Sequence, residues 1–173
     1  MDNKLFLRDY ARFTQDASTS IEGLKCRLRL IKNYELRILW VLRKYQASSG
    51  DMQTFWMLVL NHYKKAYGIE LACKNIGGGL RLIHPYGITV NYNASIGENV
   101  TLFKGVTIGE ITRGSKRGNP HIGNNVVIYA NATICGNILV GDNTDIAAGA
   151  FINFDVPPNS IVIGNPGKIY LKR

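Results

Sequence analysis

The sequence predicts a parallel β-helix built from hexapeptides, preceded by a helical segment. Three observations predict it. From Ile96 to Val156 an aliphatic side chain stands at every sixth position: Ile96, Leu102 and Ile108, then, after one break, Ile122, Ile128, Ile134, Val140, Ile146 and Ile152. Four residues on comes a small or β-branched side chain, at Val100, Val106, Val126, Ala132, Ile138, Thr144, Ala150 and Val156. Glycine often follows the aliphatic residue, as at Gly97, Gly109, Gly123 and Gly141. Such spacing fits neither a helix nor simple strand alternation. It fits a three-faced coil whose aliphatic residues point inward and stack on their equivalents one turn above and below.

Residues 1–68 read as a helical domain. Thr19 and Glu22 form a capping box ahead of a helix carrying Leu24, Leu28, Ile31, Leu36, Leu39 and Leu42 among Arg27, Arg29, Lys32, Arg37, Arg43 and Lys44. Ser48-Ser49-Gly50 breaks it. A second helix, Met52 to Tyr67, presents Phe55, Trp56, Leu58, Val59, Leu60 and Tyr63, and Gly68 can end it. The basic amphipathic helix suits two settings, an anionic membrane surface or packing on the β-helix or a sister subunit. Its wide apolar stripe favours the protein partner.

The hexapeptide grammar spans 69–162, with the helices expected to cap its N-terminal end. Residues after Pro157-Pro158 are expected to leave the repeat, and 163–173 to form a tail through Gly164-Asn165-Pro166-Gly167-Lys168. The break between Ile108 and Ile122 is not a multiple of the repeat, so 110–121 holds an extruded loop. It is basic and glycine-rich, and loops on rigid scaffolds often build binding sites.

Composition narrows the function. With 46% apolar and 19% charged residues the chain is globular rather than disordered. A formal charge of +9 favours an anionic partner. No aromatic-basic RNA motif and no zinc-finger spacing occurs, so neither nucleic acid nor a metal is expected. Cys26, Cys73 and Cys135 lack ligand spacing and read as free thiols of a reducing cytosol. No secretory leader opens the sequence and its apolar runs are short, so the expected location is cytoplasmic.

Three histidines are candidates for chemistry. His62 reads as a solvated or structural helix residue, and His121 borders the loop. Extending the frame backward from Ile96 through Val90 lands on His84, a titratable ring where an aliphatic side chain is expected. Polar groups at such positions need partners, and exceptions to local rules gather at functional sites.

The segment Gly79-Leu80-Arg81-Leu82-Ile83-His84-Pro85-Tyr86-Gly87-Ile88-Thr89-Val90-Asn91 is similar to the active-site signature of the serine acetyltransferase-like branch of the hexapeptide acyltransferases. So are Val106-Thr107-Ile108-Gly109, Pro120-His121-Ile122-Gly123 and the Gly164–Lys168 tail. The resemblance implies a left-handed parallel β-helix, a homotrimer, acetyl-CoA as donor and a site between neighbouring subunits. It makes His84 the general base and Glu70 the carboxylate that orients it, although the spacing is one residue short of the serine enzymes. It places the donor along Tyr129-Ala130, Ala147-Ala148 and Lys168, with Gly109, Ala130, Ala148 and Lys168 as cofactor-binding residues. Lys168, Lys172 and Arg173 would meet CoA phosphates, and a backbone N–H near Gly105 or Gly109 would hold the oxyanion.

Two departures bear on the acceptor. The serine enzymes carry Arg-His-Pro in the loop where this chain has Gly118-Asn119-Pro120, and an acidic residue before the base where it has Ile83. The loop and short helical domain look more like colanic-acid and capsule acetyltransferases, with Tyr86, Asn119, Arg113 and Arg117 as acceptor-binding residues beside Lys116. The expectation is therefore acetyl-CoA-dependent O-acetylation of a sugar hydroxyl on a bacterial surface polysaccharide or its precursor, with a membrane or lipid-linked precursor as peripheral contact. Serine acetylation for cysteine biosynthesis and a non-catalytic trimeric scaffold are the alternatives.

Overall fold

The computed structural model describes residues 4–15 and 24–172. The Thr19–Glu22 capping box, Arg173 and the side chain of Cys26 lie outside the described residues. Four helices come first: α1 (Lys4–Thr14), α2 (Leu24–Lys32), α3 (Tyr34–Gln46) and α4 (Gly50–Tyr67). Four coils follow. They are β1 (Asn75–Ile76), β2 (Arg81–Ile83) and β3 (Thr89–Val90); β4 (Ser95–Ile96), β5 (Thr101–Phe103) and β6 (Thr107–Gly109); β7 (His121–Ile122), β8 (Val127–Ile128) and β9 (Thr133–Cys135); and β10 (Leu139–Val140), β11 (Asp145–Ile146) and β12 (Phe151–Ile152). β13 (Ser160–Ile163) and β14 (Lys168–Leu171) close the chain.

Each strand pairs in parallel with its equivalent one coil away, making three sheets. The β1 sheet is the first face of the prism, the β2 sheet the second and the β3 sheet the third. The winding is that of a left-handed parallel β-helix with N-terminal helices. Ile96, Leu102, Ile108, Ile122, Ile128, Ile134, Val140, Ile146 and Ile152 are all buried inside it. The small or β-branched residues four positions on are buried too, because they turn inward just after each corner.

The corners need a left-handed backbone, which asparagine tolerates better than most side chains. Asn99, Asn125, Asn143 and Asn159 occupy one corner with φ between 55° and 57°. Their amides form a ladder, Nδ2 of each donating to Oδ1 of the next at 3.2, 3.1 and 3.2 Å. Gly105 holds a similar position at φ 70°, where an added Cβ would stand 2.1 Å from Asn131 Oδ1. Gly105→Ala is expected to cost at least about 1–2 kcal/mol from the backbone alone, read as a lower thermal midpoint.

Two expectations need correcting. The single helix through Leu24–Leu42 is two helices, broken at Asn33, whose φ of −109° and ψ of 109° are extended. Its side-chain amide donates to Arg29 O at 2.9 Å and so ends α2. Second, the repeat does not end at Pro157-Pro158. β13 pairs in parallel with β11, Val162 enters the core, and β14 then turns back antiparallel. Val156 pairs in parallel with Val140, so the step from Ile152 is four residues instead of six, and that shortening hides the last coil from a strict period.

The helices cap the coil through polar as well as apolar contacts. Leu36, Leu39 and Leu42 of α3 are buried, so this half of the stripe packs on protein, whereas Leu28 and Ile31 of α2 are exposed. No helix among the described residues is long and apolar enough to cross a membrane. Arg43 and Asp9, both fully buried, pair at 2.7 Å. Arg43 also donates to Ile76 O at 2.7 Å and Gly77 O at 2.6 Å, while Asp9 accepts from Leu80 N–H at 2.8 Å. One ion pair thus ties α1 and α3 to the first coil.

Candidate active site

His84 does not occupy an inward position, and the frame extended from Ile96 is corrected here. Leu82 is the inward residue, buried and paired with Leu102. The next inward residue, Val90, follows eight positions later instead of six. Gly105 N–H donates to Tyr86 O at 2.8 Å, Asn131 N–H to Lys104 O at 3.0 Å and Gly149 N–H to Ala130 O at 2.9 Å. These bonds align Tyr86, Lys104, Ala130 and Ala148 as one column down the corner between the second and third faces. Only the first coil has extra residues before that column, and they are His84 and Pro85. His84 is therefore pushed out of the frame. It is exposed, with φ +48°. A non-glycine side chain in that region costs about 1–2 kcal/mol, and such strain gathers at functional sites.

The helical segment braces this corner. Gly87 N–H donates to Tyr67 O at 3.0 Å, joining the end of α4 to the corner. Tyr86 lies against Tyr34 and Tyr67, with ring centroids 5.9 and 5.7 Å away, and Tyr34 stacks on Tyr67 at 5.2 Å. Burial, followed by a hydrogen bond with Tyr86, pushes the Tyr34 phenol well up. Half of Tyr86 stays exposed beside His84. Glu70 forms a parallel bridge with Thr89 on the third face, so it stands on the same flank as the corner. Its carboxylate pairs with Lys64 Nζ at 3.0 Å, and no hydrogen bond joins it to His84.

The residues expected along the donor divide into two groups. Ala130 and Ala148 lie in the column beneath His84. Lys168 pairs with Ile163, beside Gly164, whose carbonyl accepts from Phe151 N–H at 3.1 Å at the foot of the same column. Four coil steps of about 4.8 Å each separate top from foot, a track of roughly 19 Å. Tyr129 stacks on Phe103 at 5.0 Å along its edge. Gly109 stands elsewhere, paired with Cys135 at the far edge of the third face. Two further expectations change. The Gly105 amide is taken by Tyr86 O and is not free for an oxyanion. Lys172 Nζ is paired with Asp145 at 2.9 Å rather than free for a phosphate.

The loop folds as a short hairpin. Ile111 and Gly118 exchange backbone hydrogen bonds of 3.0 and 2.8 Å, and Lys116 O accepts from Asn137 N–H at 2.9 Å. Arg113 and Arg117 are exposed on it, and Lys116 lies 3.7 Å from Asp155. Asn119 Oδ1 is buried with no hydrogen-bond partner, an unusual state for a polar atom. The hairpin leaves the third face at the edge opposite His84, so one chain does not bring Asn119 and His84 together. His121 lies on the first face, its Nδ1 2.7 Å from Ser95 Oγ, and His62 is exposed on α4. Among the described residues no group of three or more His, Cys, Asp or Glu gathers to hold a metal.

An exposed, strained imidazole above a corner column that holds Ala130 and Ala148 suits proton abstraction beside an extended, flexible donor. Comparison with known proteins finds the following similarities. Residues 119–153 match the bacterial transferase hexapeptide (six repeats). The serine acetyltransferase of Synechococcus elongatus is 35% identical over 113 residues, covering 64% of this chain and 46% of that protein. The Staphylococcus aureus serine acetyltransferase is 38% identical over 103 residues, covering 59% and 48%. The chain thus spans about half the length of these curated relatives. The crystal structure of Neisseria gonorrhoeae serine acetyltransferase in complex with serine superposes with TM-score 0.76 and 29% identity, covering 96% of this chain and 68% of that one. Soybean serine acetyltransferase apoenzyme gives TM-score 0.76 at 27% identity, with coverage of 96% and 68%.

These findings overturn the surface-polysaccharide acceptor expected from the loop, and with it the membrane contact. The structural match spans helices and coil together, and the sequence relatives too are serine acetyltransferases; the departures at Gly118-Asn119 and Ile83 weigh less than that shared architecture. The chain carries the hexapeptide repeat of bacterial transferases on a left-handed parallel β-helix similar to that of solved serine acetyltransferases.

Proposed function

We propose that this protein is an acetyl-CoA-dependent O-acetyltransferase whose acceptor is L-serine, acting as a homotrimer in the cytoplasm and feeding cysteine biosynthesis. The observation that carries this reading is the extrusion of His84-Pro85 from the coil, on a fold similar to serine acetyltransferases. The His84 imidazole takes the hydroxyl proton of serine as its oxygen attacks the thioester carbonyl. The tetrahedral adduct collapses, the carbon–sulfur bond breaks, and the imidazolium returns its proton to the CoA thiolate. Glu70 stabilises the imidazolium through the local field.

Ala130 and Ala148 let the pantetheine arm lie close to backbone, and Lys168 at the foot of the column meets the phosphates, whereas Gly109, on another corner, takes no part in this track. Tyr86 forms the side of the acceptor pocket. In the trimer the loop of a neighbouring subunit closes the pocket. Arg113 and Arg117 then line its mouth, with Asn119 at the base of the same loop.

The test is thiol release from acetyl-CoA with L-serine, with the product identified by mass spectrometry. The expected product is O-acetyl-L-serine, formed only with both substrates present. Failure to acetylate serine under conditions where the purified trimer binds CoA contradicts the reading.

A further inference from the structure

A serine acceptor carries its carboxylate close behind its hydroxyl, so a cation is needed within a side chain's reach of His84. Arg113 and Arg117 of the loop stand only at the pocket's mouth, and where the resemblance places an arginine this chain has Gly118. Gly118 has φ +130°, and a Cβ there would stand 2.9 Å from Asn137 Cβ. Lys64 is already paired with Glu70 at 3.0 Å. Arg81 begins β2, at the other end of the strand from His84, and its charge adds to the burial that holds the Arg12 guanidinium below its ordinary value.

Lys104 has neither restriction. Gly105 N–H to Tyr86 O at 2.8 Å, with Ile83 opposite Phe103, puts the Lys104 backbone directly beneath the His84 corner. The step is one coil, about 4.8 Å. The side chain is exposed and makes no ion pair or hydrogen bond among the described residues. The next two residues down the column, Ala130 and Ala148, are uncharged. Among the positions of that column, Lys104 alone carries a cation.

We infer that Lys104 binds the carboxylate of the acceptor and sets specificity for a hydroxyl compound bearing an anion beside the reacting oxygen. The inference rests on the serine reading above. An ammonium there serves as a point charge that a flexible stem can bring to the carboxylate. It replaces the missing arginine from a different place in the fold, the coil corner instead of the loop.

The experiment compares L-serine with L-serinamide, which lacks the carboxylate charge, in the wild-type trimer and in Lys104→Met. The wild type is expected to prefer serine. In Lys104→Met the KM for serine is expected to rise about tenfold to a hundredfold, while serinamide turnover and the KM for acetyl-CoA stay nearly constant. Lys104→Arg is expected to retain most of the preference, and Lys104→Gln serves as a second neutral variant should the methionine impair folding. An unchanged serine preference in both neutral variants overturns the inference, as does a loss confined to the KM for acetyl-CoA. A wild type that acetylates serine while Lys104→Met does so equally well defeats this inference alone. A wild type that binds CoA yet never acetylates serine defeats the functional reading, and this inference with it.

Discussion

His84→Ala is expected to lower kcat with L-serine by about two to four orders of magnitude, the range for loss of a positioned general base. Folding and CoA binding should survive. The side chain is exposed and contributes nothing to the interior, which Leu82 fills at that level. The substitution also leaves an alanine at φ +48°, so thermal melting should fall only modestly. The informative comparison is between turnover and affinity. Loss of kcat with an unchanged dissociation constant for CoA marks a residue needed in the transition state rather than in binding. A variant that keeps a tenth or more of wild-type turnover would remove His84 from the role of general base and assign its extrusion to structure.

The largest expected effect on stability lies far from that corner. Asp9→Ala removes a carboxylate that accepts from Arg43 Nε at 2.7 Å, Arg43 Nη2 at 2.9 Å and Leu80 N–H at 2.8 Å, all buried. Burial pushes the Asp9 carboxyl above the usual carboxylate range, while Arg43 and the amides of Leu80 and Gly79 pull the other way. The pair therefore survives because its geometry is nearly complete. Breaking one member of a buried pair costs about 3–5 kcal/mol, because the remaining charge stays in a dry site. For a chain of this size that is a midpoint shift on the order of 10 °C. The double variant Asp9→Ala/Arg43→Met should be milder than Asp9→Ala alone, since no uncompensated charge remains. Thermal and urea unfolding of the three proteins measures both statements. A shift under about 2 °C for Asp9→Ala would mean that the helices are held mainly by apolar contacts such as Leu36 and Leu42.

The solenoid was legible because its period reports directly on the interior: every sixth aliphatic residue from Ile96 to Ile152 is buried. The first coil was less so. A histidine replacing an inward aliphatic residue and a two-residue extrusion look alike in sequence, and only the pairing of Leu82 with Leu102 separates them. The break at Asn33 left the apolar stripe continuous, so the periodicity carried no sign of it. Asp9 and Arg43 lie far apart in sequence and have no local pattern to announce their contact.

At the site, sequence and structure diverged in an informative way. Ala130, Ala148 and Lys168 fall on one corner beneath His84, as the motif order suggests, whereas Gly109 falls on another. Lys104 carries no signal in the sequence, because a lysine at a corner position resembles any solvated charge and only the column places it beneath His84. The acceptor was misread from Gly118 and Asn119. Those positions describe what the loop lacks, and recognition lost from one element can be supplied by another.

The most direct test is a crystal structure of the protein with CoA and L-serine bound. The account predicts the CoA sulfur and the serine hydroxyl both beside the His84 ring, the pantetheine arm running down past Ala130 and Ala148, and a neighbouring subunit's loop over the pocket. A CoA sulfur at another corner of the prism, with His84 facing only solvent, would contradict it.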